Sequence, residues 1–203
     1  MYKNSKNHYF SVKPKSSLRE YRFRVDLRGF VIEIISASGV FSAKKLDKGT
    51  RLLAEKMIIV DGWRILDLGT GYGILGIVAA LLSPNGYVVM TDINKRAVKY
   101  AKLNLKLNKI RNAEVRWGYL YEPVKSEKFN TIICNPPQSA GMSILRRIIE
   151  ESIDYLFPDG YLQIVARHNK GGRRLMEIME NVYGNVDTIA SSGGYRVYIS
   201  RKK

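Results

Sequence analysis

The sequence predicts an α/β protein with a doubly wound, seven-stranded and mostly parallel sheet, preceded by a small N-terminal β extension. Three observations support this fold class. A short apolar run at 65–68 is followed by three glycines and an apolar helical pattern at 74–82. Apolar runs and amphipathic helical patterns then alternate to residue 182, as in successive βα units. Two last apolar runs, joined through Ser191–Gly194, predict a closing antiparallel pair.

The individual elements follow from the same local patterns. Residues 22–28 alternate like an edge strand, and 29–35 continue as its partner. Thr50 is a plausible N-cap for a helix at 52–59, and Asn94 is one for the helix that follows the strand at 87–92. Pro158–Gly160 predicts the end of a helix that starts at Ile144. The predicted strands are 65–68, 87–92, 113–117, 131–134, 161–166, 186–190 and 195–200, and further helices are 74–82 and 173–182.

The glycines at 69, 71 and 73 lie between the first parallel strand and its helix. Glycine lets the backbone turn sharply and lets a ligand approach it without a Cβ in the way. The helix N-terminus adds unpaired N–H groups on the same side. Residues 71–76 also fit the dinucleotide pattern G-x-G-x-x-G, which alone is a weak signal. The stretch therefore predicts a nucleotide-type cofactor site.

Asp67 distinguishes between the possible cofactors, because it precedes the glycines at the end of the strand. A carboxylate there would repel a pyrophosphate and suits a ligand with positive charge. S-adenosylmethionine (SAM) has an ammonium, a sulfonium and no phosphate. The alternative is an aspartate that only caps a structural turn. Asp92, at the end of the second strand, is expected to accept from ribose hydroxyls, a feature that NAD-binding and SAM-binding folds share.

The composition restricts the partners. Lys and Arg outnumber Asp and Glu by 34 to 18, and the net charge is +16. That excess favours a polyanion, with nucleic acid first and an anionic membrane surface second; the alternative is thermophile-type surface charge. With Cys134 as the only cysteine and two histidines, we expect no metal site. The absence of a signal-peptide pattern or a bilayer-length apolar run predicts a cytoplasmic protein outside the membrane.

Two basic segments are candidates for nucleic-acid contact. Residues 1–38 form the predicted extension with its β-hairpin, and basic residues alternate there with aromatic ones. Such a mixture suits phosphate contacts and base stacking, whereas the alternative is a disordered tail plus a hairpin. Lysines 95, 99, 102, 106 and 109 share one helical face, which is either an ordinary solvated face or an RNA contact. Residues 39–203 form the predicted main domain.

Asn135-Pro136-Pro137 follows the fourth parallel strand, at the sheet edge where ligands bind in such folds. Consecutive prolines make a rigid turn that presents Asn135 toward the glycines. The Asn135 amide oxygen and the Pro136 carbonyl are two acceptors, which can hold the two hydrogens of an exocyclic amine. The amine loses its proton after attack on a sulfonium, so positioning would be the main catalytic contribution.

Together these motifs resemble class I SAM-dependent methyltransferases that methylate amines. The chain is most similar to the ribosomal small-subunit guanine-N2 methyltransferases and their small single-domain archaeal relatives, over nearly its whole length. The matching features are Gly39–Ser42, Leu46–Leu53, the Asp67–Gly73 loop, Asp92, Asn135–Pro137, Gly193–Arg196 and, at the N-terminus, His8-Tyr9 with Lys13-Pro14.

The resemblance implies a role for particular residues. Asn135, Pro136 and Pro137 would be catalytic. The implied cofactor-binding residues are Phe41, Ser42, Gly49, Thr50, Asp67, Gly69, Thr70, Gly71, Gly73, Asp92, Ile93 and Asn135. The implied RNA-contacting residues are Tyr9, Phe10, Lys13, Gln138 and Arg196. Gln138 stands where the family often has an aromatic that stacks on the target base, so Tyr9, Phe10 or Tyr72 would stack instead.

The resulting hypothesis is a SAM-dependent N-methyltransferase that acts on guanine N2 in 16S-type ribosomal RNA, or on the small ribosomal subunit. Protein glutamine or a small-molecule amine would suit the Asn-Pro-Pro geometry equally well. A non-catalytic RNA-binding module on the same fold is a third possibility, and a NAD-dependent oxidoreductase is a fourth that Asp67 disfavours.

Overall fold

The computed structural model describes residues 17–136 and 141–203. Tyr9, Phe10, Lys13, Pro137 and Gln138 therefore lie outside the described residues. The strands are β1 (Glu20–Leu27), β2 (Phe30–Ala37), β3 (Arg64–Leu68), β4 (Tyr87–Asp92), β5 (Ala113–Trp117), β6 (Phe129–Cys134), β7 (Leu156–Arg167), β8 (Asp187–Ser192) and β9 (Tyr195–Arg201). The helices are α1 (Lys48–Lys56), α2 (Ile74–Leu82), α3 (Lys95–Leu107), α4 (Met142–Ser152) and α5 (Arg173–Tyr183).

Seven strands form one sheet in the order β5-β4-β3-β6-β7-β9-β8. The pairs from β5 to β7 are parallel, and β9 runs antiparallel to both of its neighbours. This confirms the predicted doubly wound, mostly parallel sheet. The chain passes from β3 to β4 on one side and later returns to β6 on the other. The order thus reverses beside β3, which is where such sheets open a crevice for ligands.

The core lies on both faces of this sheet, as the period-2 pattern of the strands requires. In β3, Ile65 belongs to the cluster that α1, α2, α3 and the hairpin cover, whereas Leu66 belongs to the cluster under α4 and α5. Both side chains are fully buried. Within residues 17–136 and 141–203, no helix is long and apolar enough to cross a bilayer.

The N-terminal hairpin of β1 and β2 closes through Arg28 and Gly29, whose φ angles are 56° and 80°. Two positive φ angles in a two-residue loop match the right-handed twist of a hairpin. Asn104 of α3 and Asn108, directly after that helix, hold its edge: each bonds both the backbone N–H and the carbonyl of one β2 residue, at 2.8–3.0 Å. The amides thus satisfy backbone groups that a third strand would otherwise pair.

Three local predictions are wrong. Lys109 does not share the lysine face of α3, because the helix ends at Leu107 and Lys109 has a φ of 57°. Thr50 does not cap α1; Asp47 does, because its Oδ2 accepts from the Thr50 N–H at 3.0 Å. The helix that was expected to run from Ile144 to a turn at Pro158–Gly160 ends at Ser152, and β7 begins at Leu156. Asp159 N–H donates to the carbonyl of Lys202, and Lys202 N–H donates to the carbonyl of Gly160. This pairing with the C-terminal segment outweighs the local turn signal.

Candidate active site

An open cleft lies at the carboxyl ends of β3, β4 and β6, beside the point where the strand order reverses. Its free space is about 990 Å³ including the solvent-filled mouth. The glycine turn forms one side, residues 118–120 after β5 form another, and α4 contributes Ile144 and Ile148. The lining is mostly apolar with a few polar groups, which is typical of a site for a small organic cofactor.

The glycine loop, residues 69–73, has the conformation that the sequence predicted. Gly69, Gly71 and Gly73 have φ angles of 76°, 60° and 97°, which L side chains rarely adopt. The N–H groups of Gly69 and Thr70 both donate to the carbonyl of Thr91, at 2.9 Å. The loop is therefore tied to the end of β4 and keeps its backbone against the cleft.

Asp67 is completely buried beneath this loop and is not part of the cleft lining. Its Oδ2 accepts from the Thr70 hydroxyl and from the Gly76 N–H, at 2.5 and 2.9 Å, so it fastens the loop to α2. Its Oδ1 is buried and has no hydrogen-bond partner. Burial raises the pKa of this carboxyl to about 7, and the nearby Asp92 adds to the rise.

This raised pKa predicts how stability depends on pH. Between the ordinary value of 3.8 and about 7, folded Asp67 holds a proton that the unfolded chain has released. Its contribution to the free energy of unfolding is therefore complete at low pH and is lost as the pH rises toward 7. We expect Asp67→Asn to gain stability relative to the wild type between pH 4 and 7, by on the order of 2 kcal/mol. Urea unfolding at several pH values measures this, and a constant difference would contradict it.

Asp92 lines the cleft at the end of β4. Its Oδ2 accepts from the Gly71 N–H at 2.9 Å, and its Oδ1 accepts from the Asn94 N–H at 2.8 Å. Burial raises its pKa to about 6, and the two backbone donors oppose that rise. Each carboxylate oxygen can accept a further hydrogen bond, so Asp92 can support the loop and bind ligand hydroxyls at once.

Asn135 lines the opposite side of the cleft, directly after β6, and Pro136 beside it is buried. The Nδ2 amino group of Asn135 donates to Thr50 Oγ1 at 2.7 Å and to Asp47 Oδ2 at 3.2 Å. Both amide hydrogens are thus used on the α1 side. The amide therefore has a fixed orientation that leaves Oδ1 as its acceptor.

The structure brings most of the implied cofactor-binding residues together. Phe41, Thr50, Gly69, Thr70, Gly71, Asp92, Ile93 and Asn135 line the cleft. Ser42, Gly49, Asp67 and Gly73 lie outside its lining. Asp67 is in β3, Gly49 is in the first turn of α1, and the other two are in loops. Arg196 is half-buried in β9 and is also outside the lining.

Several residues of the site were not predicted from the sequence. Ile144 and Ile148 of α4 line the cleft. Thr91 also lines it, and its buried Oγ1 has no hydrogen-bond partner. Asp47 lies in the Leu46–Leu53 motif, and its contact with Asn135 spans 88 positions of the chain. Tyr72, one of the expected stacking residues, lines the cleft but is mostly buried, and it packs edge-to-face on Phe23 at 5.8 Å.

This fold, with a glycine loop, an aspartate after the next strand and an asparagine after the neighbouring one, defines a class I, Rossmann-like methyltransferase. The methyltransferase small domain family matches residues 31–199. The chain therefore belongs to that family, and its class is that of the SAM-dependent methyltransferases.

The chain is also similar to individual proteins. The chain is 34% identical to the Bacillus subtilis protein YbxB over 200 residues, which cover 96% of this chain and 98% of that protein. It is 32% identical to ribosomal RNA small subunit methyltransferase C of Shewanella amazonensis over 197 residues, covering 95% of this chain and 56% of that one.

A solved structure shares the fold. The T. thermophilus 16S rRNA N2 G1207 methyltransferase, in complex with AdoMet and guanosine, matches with a TM-score of 0.79 and 24% identity. The match covers 94% of this chain and 52% of that one. The chain thus spans about half the length of the small-subunit methyltransferases that it resembles.

Proposed function

We propose that the chain transfers a methyl group from SAM to an exocyclic amine, namely guanine N2 in small-subunit ribosomal RNA. The observation that carries this proposal is the fixed amide of Asn135. Because Thr50 and Asp47 take both of its amide hydrogens, its Oδ1 is left to accept from a ligand in the cleft that Asn135 lines. An acceptor held in one orientation is what an N–H substrate requires.

The residues around the cleft fit SAM. The glycine loop offers backbone without Cβ atoms, and Asp92 would accept from the ribose hydroxyls. Asp67 has a buried oxygen without a partner and a raised pKa, so a cation nearby would favour its ionised form. Because Asp67 lies beneath the loop, its carboxylate would attract the positively charged methionine part of SAM electrostatically, without touching it. Phe41 and Ile93 would contribute apolar contact.

In the proposed reaction, Asn135 Oδ1 and the Pro136 carbonyl accept the two amine hydrogens and so aim the nitrogen lone pair. When bound, SAM supplies an electrophilic methyl group on a sulfonium. One N–C bond forms as one S–C bond breaks, and the amine then releases a proton to water. No strong base is needed because the attacked amine becomes acidic on methylation. The contribution of the chain is to hold the amine nitrogen in line with the methyl group and to prevent other orientations of the amine.

The charge distribution and the relatives support RNA as the substrate. The chain carries a net charge of +16. The α3 lysines 95, 99, 102 and 106 are all exposed, as is Lys109 just beyond the end of that helix. The relatives named above include a ribosomal RNA small subunit methyltransferase C and a 16S rRNA N2 methyltransferase. The basic extension of residues 1–38, with Tyr9, Phe10 and Lys13, would add contacts beside the main domain of 39–203. Gln138 and Arg196 are further proposed contacts.

The direct test is methylation with labelled SAM of three substrates: free 16S ribosomal RNA, assembled small subunits, and large-subunit RNA as the control. We expect label in N2-methylguanosine after digestion to nucleosides, from a small-subunit substrate only. We also expect RNA binding to weaken steeply with salt, because phosphate contacts release counterions. Label on protein glutamine, or no transfer to RNA, would overturn the proposed substrate.

A further inference from the structure

We propose that Asp47 is a positioning residue that selects the orientation of the Asn135 amide. This inference rests on the proposed function, in which the Asn135 carbonyl oxygen accepts from the target amine. An asparagine amide can turn by half a rotation and exchange its oxygen and nitrogen. Only one of the two orientations presents an acceptor to the substrate, so something in the protein must choose it.

The Thr50 hydroxyl cannot make this choice alone, because a hydroxyl both donates and accepts. Asp47 can, because an ionised carboxylate only accepts. Its Oδ2 lies 3.2 Å from Asn135 Nδ2 and 3.4 Å from Thr50 Oγ1. The Thr50 hydroxyl donates to that oxygen and is thereby left to accept from Asn135. A flipped amide would place its oxygen against the Asp47 carboxylate, which is repulsive.

The far side of Asp47 is held by the C-terminal strand pair. The Tyr195 hydroxyl donates to Asp47 Oδ1 at 3.4 Å. The Tyr195 ring lies so close to Gly49 that a Cβ there would be 2.7 Å from it, so only glycine at 49 allows the approach. The Asp47 carboxylate is thus fixed by Tyr195 on one oxygen, and by the N-terminus of α1 and by Asn135 on the other.

The main test is Asp47→Ser. Serine is about as good an N-cap as aspartate, so α1 keeps its cap, but the hydroxyl is too short to hold Asn135 and can also donate. We expect the turnover number to fall about tenfold and the Kd for SAM to stay within about twofold. The turnover number is measured by steady-state methylation at saturating substrates, and SAM affinity is measured separately by calorimetry. A wild-type turnover number would overturn the proposal.

A second background distinguishes positioning from a general structural role. Aspartate at position 135 has no amide hydrogens and would repel Asp47, so Asp47→Ser should raise the activity of Asn135→Asp. A fall of the same size in both backgrounds would show that Asp47 does not act through residue 135.

The outcomes also separate this inference from the function on which it rests. If the wild-type chain methylates no RNA amine, the proposed function fails and this inference fails with it. If the wild type is active, Asn135→Ala is inactive and Asp47→Ser is fully active, only the positioning role fails.

Discussion

Asn135→Ala is expected to lower the turnover number by at least about 100-fold while SAM affinity changes by less than about threefold. The variant removes the Oδ1 acceptor that would aim the amine, and misplacing a reacting group costs rate far more than it costs binding. The cofactor would keep the glycine loop and Asp92, neither of which depends on Asn135. Steady-state methylation at saturating SAM and RNA measures the first quantity, and calorimetry measures the second.

The matched control is Asn130→Ala in the same strand. Asn130 lies near the other end of β6, where its Oδ1 accepts from the Arg64 N–H at 2.8 Å. Its removal should cost stability, by about 1 kcal/mol, because one backbone donor loses its partner. It should leave turnover unchanged. Equal losses of turnover in both variants, or a large loss of SAM affinity in Asn135→Ala, would contradict the assigned role.

The parts of the fold that were predictable are those with local causes. Strand β3 is an example. The apolar run between Arg64 and the glycines is too short for a helix, so it predicts a short buried strand. Parallel pairing then places the ends of β3, β4 and β6 at one edge, which is why Asp92 and Asn135 were expected to face a common cleft. Both line it.

The unpredicted parts depend on contacts between residues distant in the chain. Asp47 meets Tyr195 across 148 positions, and no local pattern identifies such a pair. Similarly, Asn104 and Asn108 look like ordinary polar positions of an amphipathic helix, yet their amides bond the edge of β2. The position of Asp67 was partly misleading: its sequence position suggests ligand contact, whereas its hydrogen bonds are to the loop and to α2.

Asp92→Ala is expected to weaken SAM binding about 100-fold. The carboxylate fixes the Gly71 N–H at 2.9 Å and the Asn94 N–H at 2.8 Å, so its loss loosens the glycine loop. It would also remove the acceptor for the ribose hydroxyls. A hydrogen bond to a charged group contributes about 1.5–3 kcal/mol, so losing one or two such bonds corresponds to a change of this size. Calorimetric titration with SAM measures the affinity.

Asp61→Ala provides the control because Asp61 makes the same kind of bonds far from the cleft. Its Oδ1 accepts from the Gly62 and Asn85 N–H groups, both at 2.9 Å, and its Oδ2 accepts from Asn85 Nδ2 at 2.7 Å. The Asn85 side-chain bond, followed by the Asn85 backbone bond, holds the pKa of Asp61 below its ordinary value. In this variant two backbone N–H groups lose their acceptor, as they do in Asp92→Ala. No proposed contact with the ligand is lost. We expect its SAM affinity to equal that of the wild type. If both variants bind SAM equally weakly, the effect at Asp92 reflects general destabilisation; if only Asp92→Ala is affected, the carboxylate acts at the cofactor.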